Sequence, residues 1–209
     1  MQPSFSLENF YGEAIVAGID EAGRGPLAGP VVAACVILDR RNLIGGINDS
    51  KKLSKTQRKK VFSELKNSAK FGIGIIDEKT IDQVNILEAT KLAMLAAFLD
   101  LEKKYNLSVE IILVDGNFIP FVNLGKIREI ISVIKGDQKS LSVAAASIIA
   151  KETRDEIMTD IDKKYPQFGF RKHAGYGTKF HRDAIKKFGI SPHHRKSFEP
   201  VKSMLDVGN

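Results

Sequence analysis

The chain has 209 residues, 43% of them hydrophobic, which is enough for one well-packed core with a small appendage but too few for two full domains. No run of 18 apolar residues is present, the amino-terminal MQPSFSLENFYGE lacks a basic segment followed by an apolar one, and Cys35 is the only cysteine. A membrane span, a signal peptide and an internal disulfide are therefore not expected, a cytoplasmic location is, and the net charge of +7 raises the question of a polyanionic partner.

In chain order, residues 14–20 and 31–38 read as strands, because both are apolar, rich in β-branched residues and bounded by Gly and Pro. Between them lie two adjacent acids, Asp20 and Glu21, and a tight Gly23-Arg24-Gly25-Pro26 loop. Ser54 with Gln57 makes a capping box that opens a helix ending near Lys66. Residues 71–77 (FGIGIID) read as a third strand. Residues 78–105 read as a long helix in which Leu87, Leu92, Leu95 and Leu99 fall near helical spacing. Residues 109–115 (VEIILVD) form a fourth strand, again closed by an acid and a glycine. Residues 127–134 read as a fifth strand, although KIREII also fits a helix. A helix over 141–164 stops before Pro166, a short one covers 178–187, and the tail from Ser191 reads as irregular. Strands that later alternate with helices imply a mixed α/β sheet. The composition shifts near Tyr165, so residues 1–165 are expected to form the main body and 166–209 a basic helical extension of one compact unit.

Charge is uneven along the chain. Residues 167–209 hold nine Lys/Arg against three Asp/Glu and all four histidines, and KKLSKTQRKK (51–60) holds six basic residues and no acid. Such concentrations suit a polyanion binder, and equally a solvated lysine-rich surface. Asp20 and Asp115 each end a strand and are followed within a few residues by a glycine, and ligands of α/β sheets gather beyond the carboxyl ends of strands. Acids brought together there repel one another and require hard cations, Mg²⁺ or Mn²⁺. Zinc is not expected, since neither CxxC nor HExxH occurs, and no GxxxxGK[ST] phosphate loop is present. Carboxylate-held divalent metals serve phosphodiester hydrolysis: one generates hydroxide near neutral pH and the other stabilises the leaving oxygen. The residues alone thus point to a metal-dependent nuclease, with acids that merely meet water at strand ends as the competing explanation.

GIDEAGRGPLAGPVVAA (18–34) closely resembles the signature of ribonuclease HII, the type 2 ribonuclease H family. NDSKKLS (48–54), VDG (114–116), KGDQKSLSVAAASIIAKETRD (135–155), HAGYGTKFH (173–181) and HRKSFEPV (194–201) resemble further family blocks, in the family's order. The resemblance implies a ribonuclease H-like, five-stranded mixed sheet flanked by helices, with a carboxyl-terminal helical extension. It implies an endonuclease that cuts the RNA strand of RNA–DNA hybrids and single ribonucleotides within DNA. Two metals, Mg²⁺ or Mn²⁺, would assist, leaving 3′-OH and 5′-phosphate ends, and the enzyme would act as a monomer. By the same resemblance the catalytic and metal-holding acids are Asp20, Glu21, Asp115 and Asp137, with Asp155 as the competitor for the fourth place. Gly23, Arg24 and Gly25 would read the sugar at the RNA–DNA junction, where only the 2′-OH separates RNA from DNA. Arg24 either orients that loop, touches a phosphate or pairs with a nearby acid. Asn48 and Lys51 resemble a phosphate-holding pocket, and Tyr176 resembles the tyrosine that packs on the sugar after the junction. Ala174 stands where the family often has a basic residue, and His193 stands in an often apolar place. A non-catalytic hybrid-binding module and a ribonuclease H-like DNA nuclease are the alternative readings.

Overall fold

The structure, a computed structural model, describes residues 2–42, 44–121 and 127–206. Its centre is a five-stranded sheet of β1 (Val16–Ala22), β2 (Val31–Ile37), β3 (Lys70–Ile76), β4 (Ile111–Asp115) and β5 (Glu129–Val133), in the order β3-β2-β1-β4-β5. β1, β2 and β3 form an antiparallel meander, whereas β4 pairs parallel to β1 and β5 parallel to β4. The ambiguous KIREII stretch therefore contributes a strand, because its pairing with β4 satisfies the backbone groups; its first residue, Lys126, lies outside the described residues.

Helices cover both faces. α1 (Ser6–Phe10) is short, α2 (Lys55–Ser68) starts at the expected Ser54/Gln57 capping box, and α3 (Glu78–Tyr105) and α4 (Leu141–Lys164) are the two long helices. Ala17, Ile19, Ala33 and Cys35 pack towards α3, while Ala34 and Val36 pack towards α2 and α4. This two-faced burial explains why the central strands read as continuous apolar runs rather than alternating ones. α3 corrects the sequence expectation. Leu87, Leu92 and Leu99 are 39%, 41% and 49% exposed, and the buried face is instead Ile81, Ala89, Ala93, Met94, Ala97, Phe98 and Leu101. A reason lies in β3: a Cβ on Gly74 would lie 2.0 Å from the carbonyl oxygen of Ala93 and 2.7 Å from the Ala97 nitrogen, so where the helix crosses this glycine the close approach suits alanine. The helix also kinks at Asn85, whose φ is 69°, and whose side chain accepts from the backbone N–H of Leu87 and Glu88.

Beyond α4, a 3₁₀ turn beginning with Pro166 leads into α5 (Phe170–His173) and α6 (Lys179–Phe188), the latter capped by Thr178. The tail is less irregular than expected, since α7 spans Val201–Asp206. Phe168, Phe170, Ala184, Ile185 and Val201 share one apolar cluster with Leu27, Ala28, Met158 and Ile161. This part of the chain therefore packs on the loop after β1 and on the second half of α4, next to the candidate site. No helix among the described residues is long and apolar enough to cross a membrane.

Candidate metal and nucleic-acid site

β1 extends two residues further than its apolar run suggests, so Asp20 and Glu21 lie within the strand, opposite Ala34 and Ala33 of β2. The parallel register of β1 and β4 pairs Ile19 with Val114, and one residue further brings Asp20 beside Asp115. Strand alternation puts Asp20 and Gly18 on the α4 side and sends Glu21 to the other. Gly18 is required there: a Cβ would lie 2.3 Å from the backbone of Ser142 at the start of α4. That close approach brings in the 3₁₀ turn before α4, which carries Asp137. The turn is tied down by the Gly136 N–H, which donates to Asp115 Oδ1 at 2.7 Å.

Asp20, Asp115 and Asp137 thereby offer carboxylate oxygens that all lie within 4.8 Å of one another. Asp20 and Asp137 are only 6% and 5% exposed. Burial, then the charges of Glu21 and Asp115, push the Asp20 carboxyl well above its ordinary range. Burial and the neighbouring Asp115 and Asp49 push Asp137 up to about 6. Such a cluster of like charges is unfavourable by itself, and its all-oxygen donor set fits a hard divalent cation.

Glu21 stands beside the three without joining them. Its Oε1 pairs with Arg24 Nη1 at 3.3 Å, and burial raises its pKa against the pull of Arg24. Asp155, the competing fourth acid, instead accepts from Lys151 at 2.6 Å and faces Arg58 at 3.7 Å. Arg58 also binds Glu152 at 2.5 Å, so this corner of α4 is an ion-pair network.

Of the expected substrate residues, Lys51 lies near the acids and Arg24 pairs with Glu21. Burial works against the charge on Lys51, but attraction to Asp20, Asp137, Asp49 and Asp115 outweighs it and raises the pKa. Asn48 and Asp49 shape this segment: Asn48 Oδ1 accepts from the Asp49 N–H and Asp49 Oδ1 from the Lys51 N–H, both at 2.9 Å. Arg24 is half-exposed, with its guanidinium 5.9 Å from the Phe118 ring centre. Tyr176 is 49% exposed, and a Cβ on Gly25 would meet its ring at 3.7 Å.

Gly23 differs from the expectation that both loop glycines make room for a ligand. Its φ is +100°, and a Cβ there would lie 2.1 Å from Arg154 Nε, so its openness faces the protein interior. Asp49, Arg154 and Arg195 border the site but were not singled out by the sequence reading. Asp49 sits inside the quoted NDSKK, and the two arginines inside TRD and HRKSF, so position in a motif was the available signal. Ala174 lends its carbonyl to Arg154 at 2.8 Å, and His193 faces Glu78 at 3.1 Å.

The ribonuclease HII family model matches residues 17–201. Ribonuclease HII of Ruminiclostridium cellulolyticum is 57% identical over 192 residues, which cover 91% of this chain and 71% of that protein. Ribonuclease HII of Chlamydia pneumoniae is 52% identical over 196 residues, covering 93% and 87%. The crystal structure of ribonuclease H2 from Pyrococcus horikoshii OT3 superposes with a TM-score of 0.76 at 28% identity, over 92% of this chain and 97% of that one. The sheet order, the acids at the ends of β1 and β4, and these likenesses over nearly the whole chain agree: it belongs to the ribonuclease HII family and is a ribonuclease H endonuclease, a hydrolase.

Proposed function

We propose that this endonuclease cleaves the RNA strand of RNA–DNA hybrids and cuts DNA at single embedded ribonucleotides, leaving 3′-OH and 5′-phosphate ends. The observation that carries this reading is the convergence of Asp20, Asp115 and Asp137 within 4.8 Å. With Glu21 beside them, they would hold two Mg²⁺ or Mn²⁺ ions. Bound there, such ions lower the pKa of water and offset charge on the scissile phosphate. Asp115, Asp20 and Asp137 provide the anionic cradle, and the Gly136 N–H keeps the Asp115 carboxylate oriented. Lys51, drawn towards the acids, holds a phosphate, with Asn48 shaping its loop. Arg24 and the Gly25 backbone meet the junction sugar, and Tyr176 packs on the next one. The enzyme acts as a monomer in the cytoplasm, its main body (1–165) and basic extension (166–209) working as one compact unit.

The deciding experiment uses an end-labelled DNA duplex carrying one ribonucleotide, incubated with Mg²⁺, with Mn²⁺ and with EDTA. Cleavage 5′ or 3′ of that ribonucleotide in either metal, and none in EDTA, is expected. Binding without cleavage would favour a passive hybrid-binding module, and equal cleavage of an all-DNA duplex would favour a DNA nuclease.

A further inference from the structure

Arg154 and Arg195 are 1% and 0% exposed, and no carboxylate lies within ion-pair distance of either guanidinium among the described residues. Burying a charge without a counterion costs several kcal/mol unless every donor is used. Here the donors go to main-chain carbonyls. Arg154 donates from Nε to Pro30, from Nη2 to Ala28 and from Nη1 to Ala174, at 2.9, 3.0 and 2.8 Å. Arg195 donates from Nε to Gly29, from Nη1 to Arg24, and from Nη2 to both Gly23 and Gly29, at 2.9, 2.9, 2.6 and 2.7 Å. Burial pushes both guanidinium pKa values down, to about 10 and about 9, which leaves both charged at neutral pH. An apolar side chain would fill the same volume at less cost; what the planar forks add is direction.

That direction has a consequence for the loop. In a trans peptide the carbonyl and the next N–H point opposite ways. With the carbonyls of Gly23 and Arg24 drawn inwards by Arg195, the N–H groups of Arg24 and Gly25 are turned outwards. Neither donates a hydrogen bond among the described residues. Arg154 meanwhile joins this loop to Ala174, two residues before Tyr176, and the Leu27 N–H reinforces the link by donating to Gly175 at 2.9 Å.

We propose that Arg154 and Arg195 are positioning residues for sugar discrimination: they draw the loop's carbonyls inwards, present the Arg24 and Gly25 N–H groups to a ribose 2′-OH, and fix Tyr176 relative to them. This rests on the proposed role of the Gly23-Arg24-Gly25 loop in reading the sugar. Lysine at either position keeps the charge but offers a single nitrogen in place of the fork, so it cannot span the same carbonyls.

The test is fluorescence anisotropy in EDTA, with duplexes that differ only in one ribose or deoxyribose. Wild type, Arg195→Lys, Arg154→Lys and Gly25→Ala are compared, each with a melting curve. Each lysine variant is expected to lose about tenfold of the ribose-over-deoxyribose preference, while affinity for the all-DNA duplex stays unchanged. A simply structural role would lower both affinities together, and that result overturns the proposal. So does full preference in a folded lysine variant. If one lysine variant is unfolded at 5 °C the other decides, and if both are, the arginines hold the fold as a whole and the proposal fails. Gly25→Ala separates the two layers: preference kept in that variant overturns the loop's role itself, whereas preference lost there but kept in the lysine variants overturns only the arginines' part.

Discussion

At the scale of single residues, the two loop glycines make opposite demands. Gly23 combines a positive φ with contact against Arg154, so Gly23→Ala adds backbone strain and overpacking together. It is expected to destabilise the protein by about 3 kcal/mol. Gly25→Ala meets only an ordinary contact with Tyr176 and should melt within a degree or two of wild type. Thermal unfolding of both variants checks this, and equal melting temperatures would contradict it. Asp115→Asn relieves one of three crowded carboxylates and still offers an oxygen to the Gly136 N–H. In EDTA it should therefore melt at or above the wild-type temperature, and a large loss would show that the charge itself holds the fold. The meeting of Asp20 and Asp115 could be expected because both stand at strand ends, whereas Asp137, in a 3₁₀ turn, was marked only by the resemblance of its motif. Arg154 and Arg195 were not legible, because an arginine bonded to carbonyls leaves no complementary acid in the sequence to mark it.

At the scale of elements, the loop before α6 and the tail beyond it are joined through two buried histidines. The Ser191 N–H donates to His194 Nδ1 at 2.8 Å, which places the proton of neutral His194 on Nε2. That group donates to His181 Nε2 at 3.0 Å, and His181 Nδ1–H donates to the Tyr176 carbonyl at 2.9 Å. Every ring nitrogen is used in the neutral form, and both rings are buried. Burial accordingly lowers both pKa values to about 4. The unfolded histidines take up protons below about pH 6.5 while the folded ones do not, so stability is present above that pH and is lost as the pH falls towards 4. At pH 5 the loss is about 2 kcal/mol per histidine. Urea unfolding from pH 7 to pH 5 measures it; the slope should flatten in His181→Asn, and an unchanged slope would place the titrating groups elsewhere. Most elements could be read from capping and periodicity, as Ser54/Gln57 and Pro166 show. The face of α3 could not, because it is set by how closely Gly74 lets the helix approach, a property of the partner strand. α7 was equally hidden, since its six residues carry too little periodicity to register.

At the scale of the whole molecule, the proposed function would make the +7 charge and the acid cluster two halves of one requirement, a basic surface to hold a polyanion and a metal-binding centre to cut it. The basic carboxyl-terminal segment cannot simply be cut away to test this, because Phe168, Phe170 and Val201 share a core with Leu27 and Met158, and truncation after Tyr165 should unfold the site. Replacing exposed Lys172, Lys179 and Lys186 by Gln is the cleaner change. For hybrid binding, each replaced lysine that contacts a phosphate should flatten the log K against log salt slope by about 0.9. An unchanged slope would assign these lysines to bulk solvent. The fold class was legible because it follows from local pattern; the joining of the tail to the β1 loop was not, because its contacts span more than 160 residues of chain. The central claim, that Asp20, Asp115 and Asp137 form a metal-dependent hydrolytic centre, is tested most directly by the single-turnover cleavage rate of wild type and Asp115→Asn on a duplex with one ribonucleotide, across a Mg²⁺ and Mn²⁺ titration. The account predicts a fall of about a thousandfold or more in the folded variant, with a higher metal requirement. Near-wild-type cleavage at ordinary metal concentration would contradict it.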